Sequence, residues 1–331
     1  MRAAMMIMFR RTNPSQKAGY FLLGLLLFVS TGLQAKRYTS LNDNWQFALT
    51  SASLSKLEVT SPDWAPVTVP HTWNSDDPFD EENGYFRGQG WYQRNLAITP
   101  QKGQRYWLRF EGANQVARVF VNGELAGQHI GGYTAFMLDI TDQLKAGDNT
   151  LQVSVNNAHN NDIVPLKGDF NFYGGIYRDV WLVEAGDTHF NPGEYASTGV
   201  YVATDVTAEN AAVTVTSHLA ASAPEARATL THKLYSPAGE LVSETSESVG
   251  VKKSGSNIIS SLPAVPNPKL WHPNHPHLYR LVSELVAPNG NTLDRQHTNV
   301  GLRWFRFDAD NGFFLNGEPL KLMGVNRHQD M

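Results

Sequence analysis

With 27 basic against 31 acidic side chains over 331 residues, the net charge of −4 offers no basic excess for nucleic acid or an anionic membrane surface. The absence of cysteine excludes disulfides, thiolate catalysis, cysteine-bound zinc and a lipid anchor on an acylated cysteine. The length predicts two or three domains, and aromatics at 11% with eight tryptophans fit both β cores and sugar binding.

At the N-terminus, Arg10, Arg11 and Lys17 precede Tyr20–Ala35, a run of 16 residues without a charge. A positive segment, a short apolar segment and a small residue read as a secretory signal, residues 1–35, cut after Ala35. The run falls short of the roughly 20 apolar residues that span a bilayer, so no stable membrane anchor is expected. Export to a bacterial periplasm or the extracellular space follows as an expectation.

Residues 36–185 show almost no 3.6-residue period, and short alternating strands dominate. Tyr106, Leu108 and Phe110 share one face of a strand, and Phe136, Leu138 and Ile140 repeat the pattern. Ala117–Val121 runs into Asn122-Gly123, a hairpin turn whose central residues need positive φ. Leu151, Val153 and Val155 alternate again. About 150 residues of this kind predict one antiparallel sandwich, a jelly roll.

Taken singly, most conspicuous residues here have structural readings. Trp73 and Trp91 read as core aromatics, His71 as a satisfied structural histidine, and Arg94 and Arg178 as partners of carboxylates within the sandwich. The glycines at 131, 132, 174 and 175 suit turns or close backbone approach.

Residues 186–302 open on a turn-rich hinge at Pro192-Gly193 and carry about seven short strands, among them Gly199–Ala203, Ala212–Thr216, Ala228–Tyr235 and Leu278–Leu285. Between these, Ser243–Ser256 reads as a solvated polar stretch. Pro263, Pro266, Pro268, Pro273 and Pro276 forbid a regular central strand. This predicts an immunoglobulin-like sandwich acting as a scaffold. His272, His275 and His277 lack an acidic partner and helical spacing, so they do not read as a metal site.

From residue 303 onward, Asn316-Gly317 is a second hairpin turn, and Leu320, Leu322 and Val325 lead into the polar run Asn326-Arg-His-Gln-Asp330. Polar side chains at the C-terminal end of a buried strand are how a (β/α)8 barrel places site residues. Such a barrel takes about 250 residues, far more than 303–331 holds.

The run Gly324–Asp330 resembles the start of the catalytic barrel in glycoside hydrolase family 2, and its His-Gln-Asp form looks most like the β-galactosidase branch. Val69–Trp73, Gly90–Arg94, Val119–Gly123, Gly131–Phe136, Asp139–Leu151 and Gly174–Val180 resemble the family's sugar-binding domain, in the family's order. The resemblance implies a mostly β chain: a jelly-roll sugar-binding sandwich, an immunoglobulin-like sandwich, and the first strand of a truncated barrel. It implies a retaining glycosidase on terminal β-galactosides, with both catalytic glutamates beyond Met331 and none in this chain. Hydrolysis would proceed by double displacement between two carboxylates.

It also implies sugar contacts. Asp169, in the loop Gly168–Tyr173, resembles an aspartate that reaches the active site and binds sugar hydroxyls and a monovalent cation. His328 resembles a sugar-contacting histidine; Asp330 and Asn326 stand beside it as candidate sugar contacts at the strand end. No cofactor is expected within this chain, while a longer enzyme would use magnesium or sodium; a homo-oligomer is an open expectation. Alternatives are a β-glucuronidase or β-mannosidase of the same family, or a non-catalytic carbohydrate-binding protein of two sandwiches.

Overall fold

The computed structural model describes residues 36–50, 63–77, 79, 85–168 and 170–326. All described residues belong to one compact unit within 32–331. The expected secretory signal lies outside the described residues. Among those described, no helix is long and apolar enough to cross a membrane.

In the first sandwich a four-stranded sheet faces a six-stranded one. The four-stranded sheet orders Arg37–Ser40, Val180–Gly186, Gln104–Phe110 and Phe136–Asp139. The six-stranded sheet orders Ala65–Val67, Trp45–Thr50, Gln89–Ile98, Gly147–Asn156, Val116–Val121 and Glu124–Ile130. All pairings are antiparallel, and the alternation in sequence is the alternation in space. Tyr106, Leu108 and Phe110 enter one core with Tyr92, Val119, Val121, Leu151 and Val153. Each such side chain contributes about 1.5–3 kcal/mol by leaving water. Asn122 and Gly123 take φ of 53° and 84°, the left-handed pair that the hairpin requires.

Trp45 and Trp91 are buried, and Trp73 stacks on Phe47 at 5.8 Å. The arginines differ from expectation. Arg94 donates to the carbonyls of Leu41 and Asp43, and Arg178 lies over Tyr177 with its guanidinium carbon 5.3 Å from the ring. Neither pairs with a carboxylate among the described residues, because loop carbonyls and an aromatic face occupy those positions.

The second sandwich packs the sheet containing Val200–Val206, Asn210–Ala221 and Ser256–Pro266 on the sheet ordered Leu241–Lys252, Glu225–Tyr235, Tyr279–Val286, Thr292–Val300. The stretch expected to be solvated is mostly the strand Leu241–Lys252. Its sequence is polar because one face of this edge strand meets water, and of its residues only Ser243, Val249 and Val251 are buried. The prolines at 263 and 266 sit on Ser256–Pro266, which pairs with one neighbour only, the edge position proline tolerates. The sandwiches join where His189 meets Trp107 edge-on at 5.0 Å and Arg109 donates to the Ala196 carbonyl at 2.7 Å.

Residues 305–319 form a small meander of Phe305–Asp308, Gly312–Leu315 and Glu318–Pro319. It turns at Asn316-Gly317 with φ of 53° and 88°, and Asn316 ties it back through a 3.0 Å bond to the Trp271 carbonyl. Of the following residues 320–326, expected as a barrel strand, Leu320 still donates to the Phe313 carbonyl at 2.9 Å, and none is in a strand.

Candidate functional site

Gln89 pairs with Asn156 at one end of the six-stranded sheet. Chain entering the first strand and chain leaving the second therefore emerge side by side, and loop segments 71–77, 85–88, 157 and 172–175 collect there. Two fully buried asparagines staple them. Asn157 accepts from the Gly88 amide at 2.8 Å through Oδ1 and donates through Nδ2 to the Phe172 carbonyl at 2.9 Å. Asn74 accepts from the Gly174 amide at 2.7 Å and donates to the Phe86 carbonyl at 2.9 Å and to Asp77 at 2.6 Å. Asp77 in turn accepts from the Phe86 amide at 2.8 Å. A side-chain amide offers both donors and acceptors, so one residue satisfies main-chain groups on two loops at once.

Glycine is required where the loops touch the core. A Cβ on Gly174 would overlap the Trp73 indole, and Gly175 has φ of 118° with the His71 carbonyl 2.5 Å from where its Cβ would be. His71 is structural, as expected: its Nδ1 lies 2.7 Å from the Tyr92 hydroxyl and its ring 4.7 Å from Phe47. Burial lowers its pKa below the ordinary histidine value.

This scaffold presents Arg87. Its Nε donates to the Asn157 carbonyl at 2.8 Å, and its guanidinium carbon lies 4.8 Å from the centre of the Phe172 ring. No carboxylate among the described residues is in salt-bridge range of it. Tyr133, 48% exposed, feels the Arg87 charge, and Tyr177 feels both Arg178 and Tyr133. Burial raises the pKa of both phenols, so both are protonated at neutral pH. Asn171 is buried with neither amide atom hydrogen-bonded among the described residues.

Asp169 lies outside the described residues. His328 and Asp330 also lie outside the described residues. Asn326 is described, exposed and unattached to any strand. Among the described residues no three His, Cys, Asp or Glu side chains converge as a metal site, and successive rings of His272, His275 and His277 stand 6.4 Å apart. Sequence reasoning assigned no role to Asn74, Asn157 or Arg87. The one local signal was the Asn156-Asn157 doublet closing an alternating strand, where Asn156 caps the exit by accepting from the Ala158 amide at 2.7 Å.

Comparison with known proteins agrees with this architecture. The family model "Glycosyl hydrolases family 2, sugar binding domain" matches residues 38–186, and "Glycosyl hydrolases family 2" matches 197–303. A β-glucuronidase of Bacteroides fragilis is 40% identical over 93% of this chain and 44% of its own length. A β-galactosidase of Thermoanaerobacter pseudethanolicus is 36% identical over 87% of this chain and 37% of its own. The solved structure of Bacteroides uniformis β-glucuronidase 2, covalently bound to cyclophellitol-6-carboxylate aziridine, superposes with a TM-score of 0.82 at 37% identity, covering 89% of this chain and 36% of that one. The chain thus spans less than half the length of each of these relatives. With both sandwiches matched in order, the chain belongs to glycosyl hydrolase family 2.

Proposed function

We propose that this chain is the front portion of an exported retaining β-glycosidase that removes terminal β-D-glucuronyl residues, its two sandwiches positioning loops beside a barrel carried by a longer polypeptide. The observation that carries this reading is the ordered pair of family matches on a chain spanning 36–44% of those relatives. The glucuronide is supported by the names of the 40% and 37% identical relatives, one of them bound covalently to a ligand bearing a 6-carboxylate. A galactoside is the second reading, favoured by the His328-Gln329-Asp330 form and by the 36% identical β-galactosidase. In either case two carboxylates about 5–5.5 Å apart would act as nucleophile and acid/base through a glycosyl-enzyme intermediate. Asp169, His328, Asp330 and Asn326 are proposed sugar contacts, with Asp169 also touching a monovalent cation.

The test is hydrolysis of nitrophenyl β-D-glucuronide and β-D-galactoside by the complete polypeptide and by residues 1–331 alone. Turnover only by the complete polypeptide is expected, faster on the glucuronide. Turnover by the 331-residue chain, or none by either, overturns the reading.

A further inference from the structure

The loop end of the first sandwich holds two guanidiniums, Arg87 and Arg178, and no described carboxylate pairs with either. Arg87 is not a loose surface side chain. Its Nε is held by the Asn157 carbonyl at 2.8 Å, Phe172 lies under the guanidinium at 4.8 Å, and Asn157 is itself fixed to Gly88 and Phe172. With Nε occupied, the outer edge of the fork remains, two terminal amino groups whose paired N–H bonds match the two oxygens of a carboxylate. Tyr133 stands within electrostatic reach of Arg87, and Tyr177, whose hydroxyl donates to the Gly132 carbonyl at 2.5 Å, within reach of both Tyr133 and Arg178.

The surroundings are those of a binding surface rather than a solvated one. Tyr85, Phe86 and Tyr133 are 37–48% exposed in the same loops, and the neighbouring Asn171 buries an amide with its hydrogen bonds unmet among the described residues. Aromatic faces suit the apolar side of a sugar ring. No described carboxylate supplies a counter-charge to either guanidinium, whereas an acidic sugar would. We infer that Arg87, fixed by Asn157 and Phe172, recognises the carboxylate of a uronic-acid sugar. This rests on the glycosidase reading for the sugar, and on the unpaired guanidinium alone for the anion.

The test titrates methyl β-D-glucuronide and methyl β-D-galactoside against the complete polypeptide by ligand-observed NMR. The unaltered protein is expected to prefer the glucuronide by roughly 10- to 100-fold, the range of one charge-assisted hydrogen-bonded pair. Arg87→Met is expected to bring the two sugars level, and Arg87→Lys to keep part of the preference, since it retains charge but not the fork. No preference in the unaltered protein, or a preference that survives Arg87→Met, overturns the inference. Equal weakening of both sugars by Arg87→Met also overturns it, by assigning Arg87 to holding the loops. Hydrolysis is scored separately: a glucuronide preference without turnover defeats only the proposed activity, and turnover without the preference defeats only this role of Arg87.

Discussion

Lys36 and Asp294 bury opposite charges together where the two sandwiches meet, with Nζ 3.6 Å from Oδ2 and side chains 2% and 0% exposed. Lys36 Nζ also donates to the Phe190 carbonyl at 2.5 Å, while Asp294 accepts from the main-chain amides of Phe190 and Arg295 at 2.9 and 2.8 Å. One knot thus ties the first strand, the hinge and the second sandwich.

The two partners are not equivalent. Asp294 keeps main-chain donors if Lys36 is lost, but Lys36 without Asp294 is a buried charge whose pKa desolvation already lowers. Asp294→Ala is expected to cost about 3–5 kcal/mol, and Lys36→Met clearly less. Urea denaturation of both variants measures this, and equal costs would contradict the asymmetry.

His232 is fully buried, with Nδ1 2.8 Å from Ser283 Oγ and Nε2 3.4 Å from Ser217 Oγ on the opposing sheet. Burial lowers its pKa from 6.5 to about 4. Between those values the unfolded chain takes up a proton that the folded chain refuses, so stability falls as pH drops from 6.5 to 4 and levels below. The full fall is about 3 kcal/mol at 1.36 kcal/mol per pH unit. His71, His129 and His189 are lowered by burial too and act in the same direction. Urea midpoints at pH 7.5, 6 and 4.5 are expected to fall less steeply for His232→Gln than for the unaltered chain; identical slopes would remove His232 from the account.

Asn157→Ala strands the Phe172 carbonyl and the Gly88 amide inside the loop cluster. Each unmet buried group costs about 1–3 kcal/mol, and the loss falls on the loop that carries Asp169. Amide exchange should therefore quicken in residues 170–175 and 85–88 more than in the strand Gly147–Asn156. Uniform quickening would mean that Asn157 supports the whole sandwich rather than its loop end.

Much of this architecture was legible because it is written locally. Positive φ at Asn122-Gly123 and Asn316-Gly317 follows from two-residue turns, and the burial of Tyr106, Leu108 and Phe110 follows from alternation. The strand Leu241–Lys252 was not legible, since an edge strand with one wet face carries too few apolar residues to show the period. The loop cluster was half legible. Its Gly168–Tyr173 segment stood out, but what holds it depends on Asn74 and Asn157, 83 residues apart and brought together only by the register of Gln89 against Asn156. The arginines misled for a related reason: charge invites a carboxylate, whereas Arg94 meets carbonyls that only folding assembles.

The meander after the second sandwich divides its side chains sharply. Leu315 is 3% exposed, whereas Phe305 and Phe307 are 57% and 74% exposed on one face with Phe313, and Met323 and Val325 follow at 87% and 94%. An uncovered aromatic face beside an open strand edge is a surface on which copies associate. Replacing Phe305 and Phe307 together by serine is expected to raise the protein concentration at which light scattering begins. The unfolding free energy should move by no more than about 0.5 kcal/mol per site, because neither side chain is in the core. A chain ending at Leu302 should also aggregate less, but at a cost in stability, since it loses the Asn316 bond to the Trp271 carbonyl. Unchanged scattering in both would place the sticky surface elsewhere, whereas relief only in the shortened chain would assign it to Leu322, Met323 and Val325.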